Sequence, residues 1–232
     1  MKKLWFLLPL FFFATSLAAD KYGSFSELKN AREAGRDYII TVLDRHAPVT
    51  VFAIHGGEIE RGTSDIARVC AGGDWNFYSF TALDKEHARD YHITATKFDE
   101  PGAVRLATAS VLGIAIHGQR EGEDVICLGG RNAELRKRTA AELREDGFSV
   151  EEPCKRLPGE SAKNIANRPS DGGIQLEFSQ KILKRLTENG SELVKFCAAL
   201  KDSVNGYLLQ KQSKVIPAES GGFSTGADGV KP

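Results

Sequence analysis

The chain has 232 residues, 41% of them hydrophobic, with 31 basic and 31 acidic side chains. This balance leaves no cationic excess to neutralise a phosphate backbone, which excludes nucleic acid as the main partner. The length suits one ordinary domain with a real core, and four cysteines without a Cys-x-x-Cys pair argue against a zinc ribbon or a dithiol redox site.

Met1-Lys2-Lys3, the apolar run Leu4 to Phe13 and the small residues Ala14 to Ala19 follow the order of a secretory signal peptide. The apolar run is shorter than the roughly 20 residues that span a membrane, and cleavage is expected after Ala18 or Ala19. Removing residues 1–19 takes only Lys2 and Lys3 from the charges and leaves a net charge near −2. The expected organisation is a leader over 1–19, one domain over 20–214 and a flexible Gly- and Ser-rich tail over 215–232. Such a protein is periplasmic or secreted, with no stable membrane insertion once the leader is cut. In an oxidising compartment Cys70, Cys127, Cys154 and Cys197 form one or two structural disulfides, with three full pairings open.

Within the domain, Tyr38 to Leu43 and Val49 to Ile54 are β-branched runs that predict strands, parted by turn residues around Asp44 and Pro48. A helix follows from Thr63 to Val69, with Thr63 or Ser64 as its cap. Further strands are expected at Asn76 to Thr81, Val111 to His117 and Asp124 to Leu128. Gly129-Gly130 then turns into a charged helix from Asn132 to Asp146. Pro158 to Pro169 reads as a loop, Ile174 to Phe178 as a short strand, and Lys181 to Leu186 and Glu192 to Leu200 as helices. Alternating strands and helices predict a single α/β domain with a mixed, largely parallel central sheet flanked by helices.

Functional groups in such sheets gather where strands run out into loops. His55 follows the strand Val51 to Ile54 and precedes Gly56-Gly57; His117 follows Gly113 to Ile116 and precedes Gly118. Two hydrophobic strands that each end in His-Gly, with Glu58 and Glu60 in the turn after the first, supply the imidazole and carboxylate donors of a catalytic zinc site. The alternative for either histidine alone is a hydrogen bond at a loop start.

The segment Ala53-Ile-His55-Gly-Gly-Glu-Ile-Glu60-Arg-Gly-Thr63-Ser64 resembles the signature of the poly-γ-glutamate hydrolase family, whose members are also called phage-related replication proteins. Tyr91-His92-Ile-Thr94-Ala-Thr96-Lys-Phe98-Asp99-Glu-Pro101 resembles its second block. Ile116-His117-Gly118, Gly129-Gly130, Asn167-Arg168 and Gly173-Ile-Gln175-Leu-Glu177-Phe-Ser179 continue it in order from about residue 36 to 190. The resemblance implies a zinc carboxypeptidase-like fold that cleaves γ-glutamyl amide bonds, with Zn2+ held by His55, Glu60 and His117. Glu58 is the rival ligand, because carboxypeptidases space their first pair as His-x-x-Glu.

By the same resemblance Glu177 is the general base that takes a proton from the attacking water and passes it to the leaving amine. Its place in an apolar strand agrees, since an unpaired charge there is costly; the alternative is a carboxylate paired to a structural arginine. Arg168 is a candidate clamp for a substrate carboxylate or else a loop arginine tied to backbone carbonyls. His92 either bonds the reacting carbonyl or braces the strand. The chain departs from the family pattern at Glu58, where a further glycine is usual, and at Ala95, where a small hydroxyl residue is expected. The implied substrate is a γ-glutamyl polymer or peptide. Rival readings are a peptidoglycan γ-glutamyl peptidase and a non-catalytic binding or immunity module on the same fold.

Overall fold

Every residue from Val49 to Gly56 is buried, so this strand is covered on both faces and its side chains part to two cores. Val51 and Ala53 join one core, while Phe52 and Ile54 join the other. The computed structural model describes residues 19–119 and 124–215. The expected leader, apart from Ala19, and the expected tail, apart from Val215, lie outside these residues.

The elements in chain order are α1 (Phe25–Ala31), β1 (Tyr38–Leu43), β2 (Val49–Gly57), α2 (Thr63–Ala71), β3 (Asn76–Ala82), α3 (Pro101–Ala109), β4 (Leu112–Gln119), β5 (Ile126–Gly129), α4 (Ala133–Glu145), β6 (Val150–Glu151), β7 (Gly173–Ser179), α5 (Gln180–Glu188) and α6 (Gly190–Val215). Short 3-10 turns lie at Ala88–Tyr91 and Ile165–Asn167. The seven strands form one sheet in the order β1-β3-β2-β4-β7-β5-β6. Its centre, β3-β2-β4-β7, is parallel, whereas β1 runs antiparallel to β3 and β5 antiparallel to β7. The fold is the expected single α/β domain with a mixed, largely parallel sheet.

On one face α2, α4, α5 and α6 cover a core built around Ile66, Leu135, Leu143, Phe178, Leu186, Phe196 and Leu200. On the other face α1 and α3 close a core rich in aromatic rings, with Tyr38, Phe52, Tyr78, Phe80 and Phe98. Two disulfides settle the open pairing: Cys70 with Cys197, and Cys127 with Cys154. The first ties α2 to α6; the second ties β5 to the loop after β6. Among the described residues no helix is long and apolar enough to cross a membrane.

Several local expectations shift. The cap of α2 is neither Thr63 nor Ser64 but Gly62, whose φ of 91° suits a residue without a Cβ. Thr63 instead donates its hydroxyl to the Glu60 carbonyl at 2.8 Å, and Ser64 Oγ meets Ser79 Oγ at 2.7 Å. The last helix is far longer than Glu192 to Leu200. It starts behind Asn189, whose Oδ1 accepts the Glu192 N–H, and runs on because its apolar residues keep meeting α4 and α2. Two helices without a long apolar repeat, α1 and α3, rest on their caps: Ser24 Oγ accepts from Glu27 N–H, and Glu100 Oε2 accepts from Ala103 N–H ahead of Pro101.

Candidate metal centre and active-site cleft

His55 and His117 stand at the C-terminal ends of the adjacent parallel strands β2 and β4. A regular register pairs Phe52 with Ala115, which would put Ile54 level with His117 and aim His55 at the opposite face. The chain avoids that outcome with a bulge. Between Ala53 and Gly56 the pairing with β3 slips, three steps on β2 answering two on β3. A bulge re-aims the side chains beside it, and the two imidazoles meet with ring centroids 5.0 Å apart.

Gly57, with φ at 65°, then turns the chain so that Glu60 folds back beneath the histidines. Its amide donates to the His55 carbonyl at 2.9 Å, and its Oε2 accepts the Gly118 N–H at 2.7 Å. The carboxylate is thereby fixed from both strands. His55 Nδ1 lies 2.9 Å from Glu60 Oε1, His117 Nδ1 lies 3.2 Å from His55 Nδ1, and His117 Nδ1 lies 3.5 Å from Glu60 Oε2.

The orientation of the His55 ring is set by its other nitrogen. Nε2 is 2.9 Å from the Ile93 carbonyl, which can only accept, so Nε2 carries a hydrogen and Nδ1 is the nitrogen turned toward Glu60 and His117. Two imidazole nitrogens and a carboxylate, all ligand atoms for a metal, converge on one point. Donors around one tetrahedral zinc, at bond lengths near 2.0–2.1 Å, sit about 3.3 Å apart, and the separations of 2.9–3.5 Å match that edge. The residues fit a divalent cation.

The electrostatics agree. Burial works against the charged Glu60 carboxylate, but the imidazoles of His55 and His117 outweigh it and hold this group far below the usual carboxylate range. Burial likewise opposes a charged His117, yet the Glu177 and Glu60 carboxylates push it up to about 9. Both directions express a demand for positive charge at this point.

A donor atom of His92 also comes within 4.8 Å of those of His55 and Glu60. Its ring, however, stacks on that of His55, with centroids 4.1 Å apart and planes 28° from parallel. Nitrogen lone pairs lie in the ring plane, so stacked rings aim side by side, whereas His117 is tilted 58° to His55 and converges with it. His92 Nδ1 is moreover held by Asp20 Oδ1 at 2.7 Å, and Asp20 Oδ2 accepts the Thr94 N–H at 2.9 Å. Burial, with the His55 ring beside it, pulls His92 down to about 4. His92 is a neutral wall of the cleft.

Glu177 stands on β7 directly opposite His117 in the parallel register. It is nearly buried, and burial raises its carboxyl above the ordinary value. Two residues earlier on the same face, Gln175 Nε2 donates to Glu177 Oε1 at 2.9 Å. The orientation of that amide is fixed in turn, since Asn164 Nδ2 donates to Gln175 Oε1 at 2.7 Å. Neither Gln175 nor Asn164 stands out as functional in the sequence. The period-two spacing of Gln175 and Glu177 is the signal that points to the first; the second comes from a distant loop and leaves no local trace.

These groups line a cleft of about 470 Å³, with Thr94, Thr96, Arg89 and Arg156 among its walls. Arg168 is not among them: its Nε donates to the Lys163 carbonyl at 3.1 Å, the backbone tie that sequence reading held as the alternative to a substrate clamp. Glu58, the rival ligand, is turned away to an ion pair with Arg61 at 2.5 Å. Ala95 does line the cleft.

Residues 22–195 match the family described as poly-gamma-glutamate hydrolase. The chain belongs to the poly-γ-glutamate hydrolase family. In Bacillus subtilis (strain 168) it is similar to the SPbeta prophage-derived UPF0714 protein YoqZ, 40% identical over 70% of this chain and 60% of that protein. It is also similar to UPF0714 protein YndL, 35% identical over 73% of this chain and 68% of YndL. The match thus spans less than two thirds of YoqZ. Among solved structures, a bacteriophage poly-γ-glutamate hydrolase superposes with a TM-score of 0.77 at 27% identity, covering 83% of this chain and all of that one. The zinc-free apo form of YndL superposes at 0.75 with 30% identity, over 81% of this chain and 98% of that one. Asp20 lies outside the segment matched to the poly-γ-glutamate hydrolase family, although its carboxylate holds a residue of the cleft.

Proposed function

We propose that this protein is an exported, zinc-dependent amidohydrolase that cleaves γ-glutamyl amide bonds in poly-γ-glutamate or related peptides. The observation that carries the reading is the convergence of His55 Nδ1, Glu60 and His117 Nδ1 within 2.9–3.5 Å, with Glu177 on the neighbouring strand. His55, Glu60 and His117 would hold the ion, and the zinc-free form described for YndL supports zinc as its identity. Bound zinc supplies Lewis acidity that polarises a carbonyl and makes water acidic.

The remaining work falls to the chain. Gln175 pins Glu177 Oε1, which leaves Oε2 to take the proton of the attacking water. Burial raises Glu177 toward the range of an effective base. As the carbonyl carbon gains the water oxygen and its bond to nitrogen breaks, Glu177 delivers that proton to the leaving amine. His92, braced by Asp20 and stacked on His55, lines the cleft beside the ligand set. Cleavage after Ala18 or Ala19 and an oxidising destination are supported by the leader-like start of the chain and by the two disulfides.

The test is Glu177→Gln, assayed by release of new amines from poly-γ-glutamate. The variant should keep about one zinc per chain and lose at least roughly a hundredfold in kcat. Near wild-type turnover in the variant would remove Glu177 from the mechanism.

A further inference from the structure

The floor of the cleft carries two carboxylates, Glu60 and Glu177, yet the proposed substrate is itself a polyanion. Cations must therefore receive it. Among the described residues that line the cleft, the lysine and arginine class is represented by Arg89 and Arg156, both exposed.

Their places in the fold differ. Arg89 sits in the 3-10 turn Ala88–Tyr91, and its carbonyl accepts the His92 N–H at 3.2 Å. The next residue, Ile93, takes the His55 ring hydrogen, so Arg89 belongs to the wall above β2. Arg156 lies two residues past Cys154, which is bonded to Cys127, the register partner of Glu177 on β5. The neighbouring Leu157 carbonyl accepts from Gln175 Nε2 at 3.1 Å, so Arg156 belongs to the wall above β7 and β5. Strands lie about 4.8 Å apart, and β4 with His117 stands between β2 and β7. Arg89 and Arg156 therefore line the cleft from opposite flanks of His55, His117 and Glu177.

In γ-linked glutamate every residue keeps a free α-carboxylate as a side group. A γ-amide between two glutamyl residues has one such group on each side. A γ-glutamyl bond to a residue whose own carboxyl is already amidated, as within a cell-wall peptide, has one on the acyl side alone.

Resting on the hydrolase reading above, we propose that Arg89 and Arg156 bracket the scissile bond and each read one α-carboxylate, so that the preferred substrate is charged on both sides of the cut. Glu177 hands its proton to the leaving nitrogen, which places the amine residue under Arg156 and the acyl residue under Arg89. A guanidinium matches a carboxylate with paired donors.

The experiment uses the zinc-loaded mature enzyme with three oligo-γ-glutamates. One is unmodified; the others carry an α-carboxamide next to the cut, either on the acyl residue or on the amine residue. Wild type is expected to lose about ten- to a hundredfold in kcat/KM on either carboxamide. Arg89→Gln should lose a similar factor on the unmodified oligomer through KM and ignore the acyl-side carboxamide while still rejecting the amine-side one. Arg156→Gln should show the mirror image, and both should keep wild-type zinc content. Equal rates of wild type on all three substrates, or variants that keep both preferences, would overturn the bracket and leave the hydrolase reading standing. Failure of zinc-loaded wild type to cut any of them would overturn both.

Discussion

The two ends of β2 and β4 hold buried polar clusters of opposite character. At the entry of β2, Thr50, Asn76 and Ser110 form a closed circuit. Asn76 Nδ2 donates to the Ala47 carbonyl and Thr50 Oγ1, its Oδ1 accepts from the Arg45 and Ala47 amides, Thr50 meets Ser110 at 2.7 Å, and Ser110 donates to the Leu106 carbonyl. Donors and acceptors match. At the exit of the same strands, His55, Glu60 and His117 crowd two imidazoles and a carboxylate together around a proton held by His117, and His117 Nε2 has no hydrogen-bond partner among the described residues. A balanced network holds a fold together. An unbalanced one, fixed in place by Ile93, Gly118 and Thr63, suits the cation proposed above.

The contrast makes predictions of decreasing size. Asn76→Ala leaves two backbone amides and the Ala47 carbonyl short of partners. It should cost about 2–3 kcal/mol in urea denaturation with kcat unchanged at permissive temperature; a large kcat loss would deny that this end is purely structural. Gln175→Leu should lower kcat about tenfold and, because it also strips the Leu157 carbonyl and the Asn164 amide of a partner, cost about 1–3 kcal/mol in stability. In that variant Glu177 Oε1 is unheld, and equal kcat would show that the base needs no anchor.

The pH dependence separates the metal-free and zinc-loaded forms. His117 is raised to about 9 from an ordinary value of 6.5, so the protonated folded form is favoured. That stability is fully present below about pH 6.5 and is lost as pH rises through 9. Thermal midpoints of the chelator-treated protein should therefore fall over this window, while those of the zinc-loaded protein, with the proton replaced, should stay level. Parallel curves for the two forms would contradict the exchange of proton for cation. The smallest effect belongs to Glu58→Gln. It removes an ion pair to an Arg61 that is 70% exposed, a change of about 1 kcal/mol or less, and zinc should remain bound. Loss of zinc there would restore Glu58 as the ligand.

How far the sequence carried this picture depends on the reach of each signal. The β-branched runs at Tyr38–Leu43 and Val49–Ile54, and the His-Gly endings of two strands, are local and translate directly into β1, β2, β4 and the paired imidazoles. The bulge that lets His55 turn toward His117 is a matter of register against β3, and no residue type announces it. Arg168 sits in a family-like motif, but whether a guanidinium finds a carbonyl or the cleft is decided by the loop's path. Asp20, seventy-two residues from His92, and Asn164, eleven from Gln175, act only once the chain has folded. Spacing within one strand was legible; contacts between a loop and a distant strand were not.

The most direct test of the central claim is the zinc content of the purified mature protein by elemental mass spectrometry, beside His117→Ala and His92→Ala. About one zinc per chain is expected in the wild type, retained in His92→Ala and lost in His117→Ala. Zinc kept by His117→Ala and lost from His92→Ala, or absent from the wild type after it is offered back, would contradict the site as built from His55, Glu60 and His117.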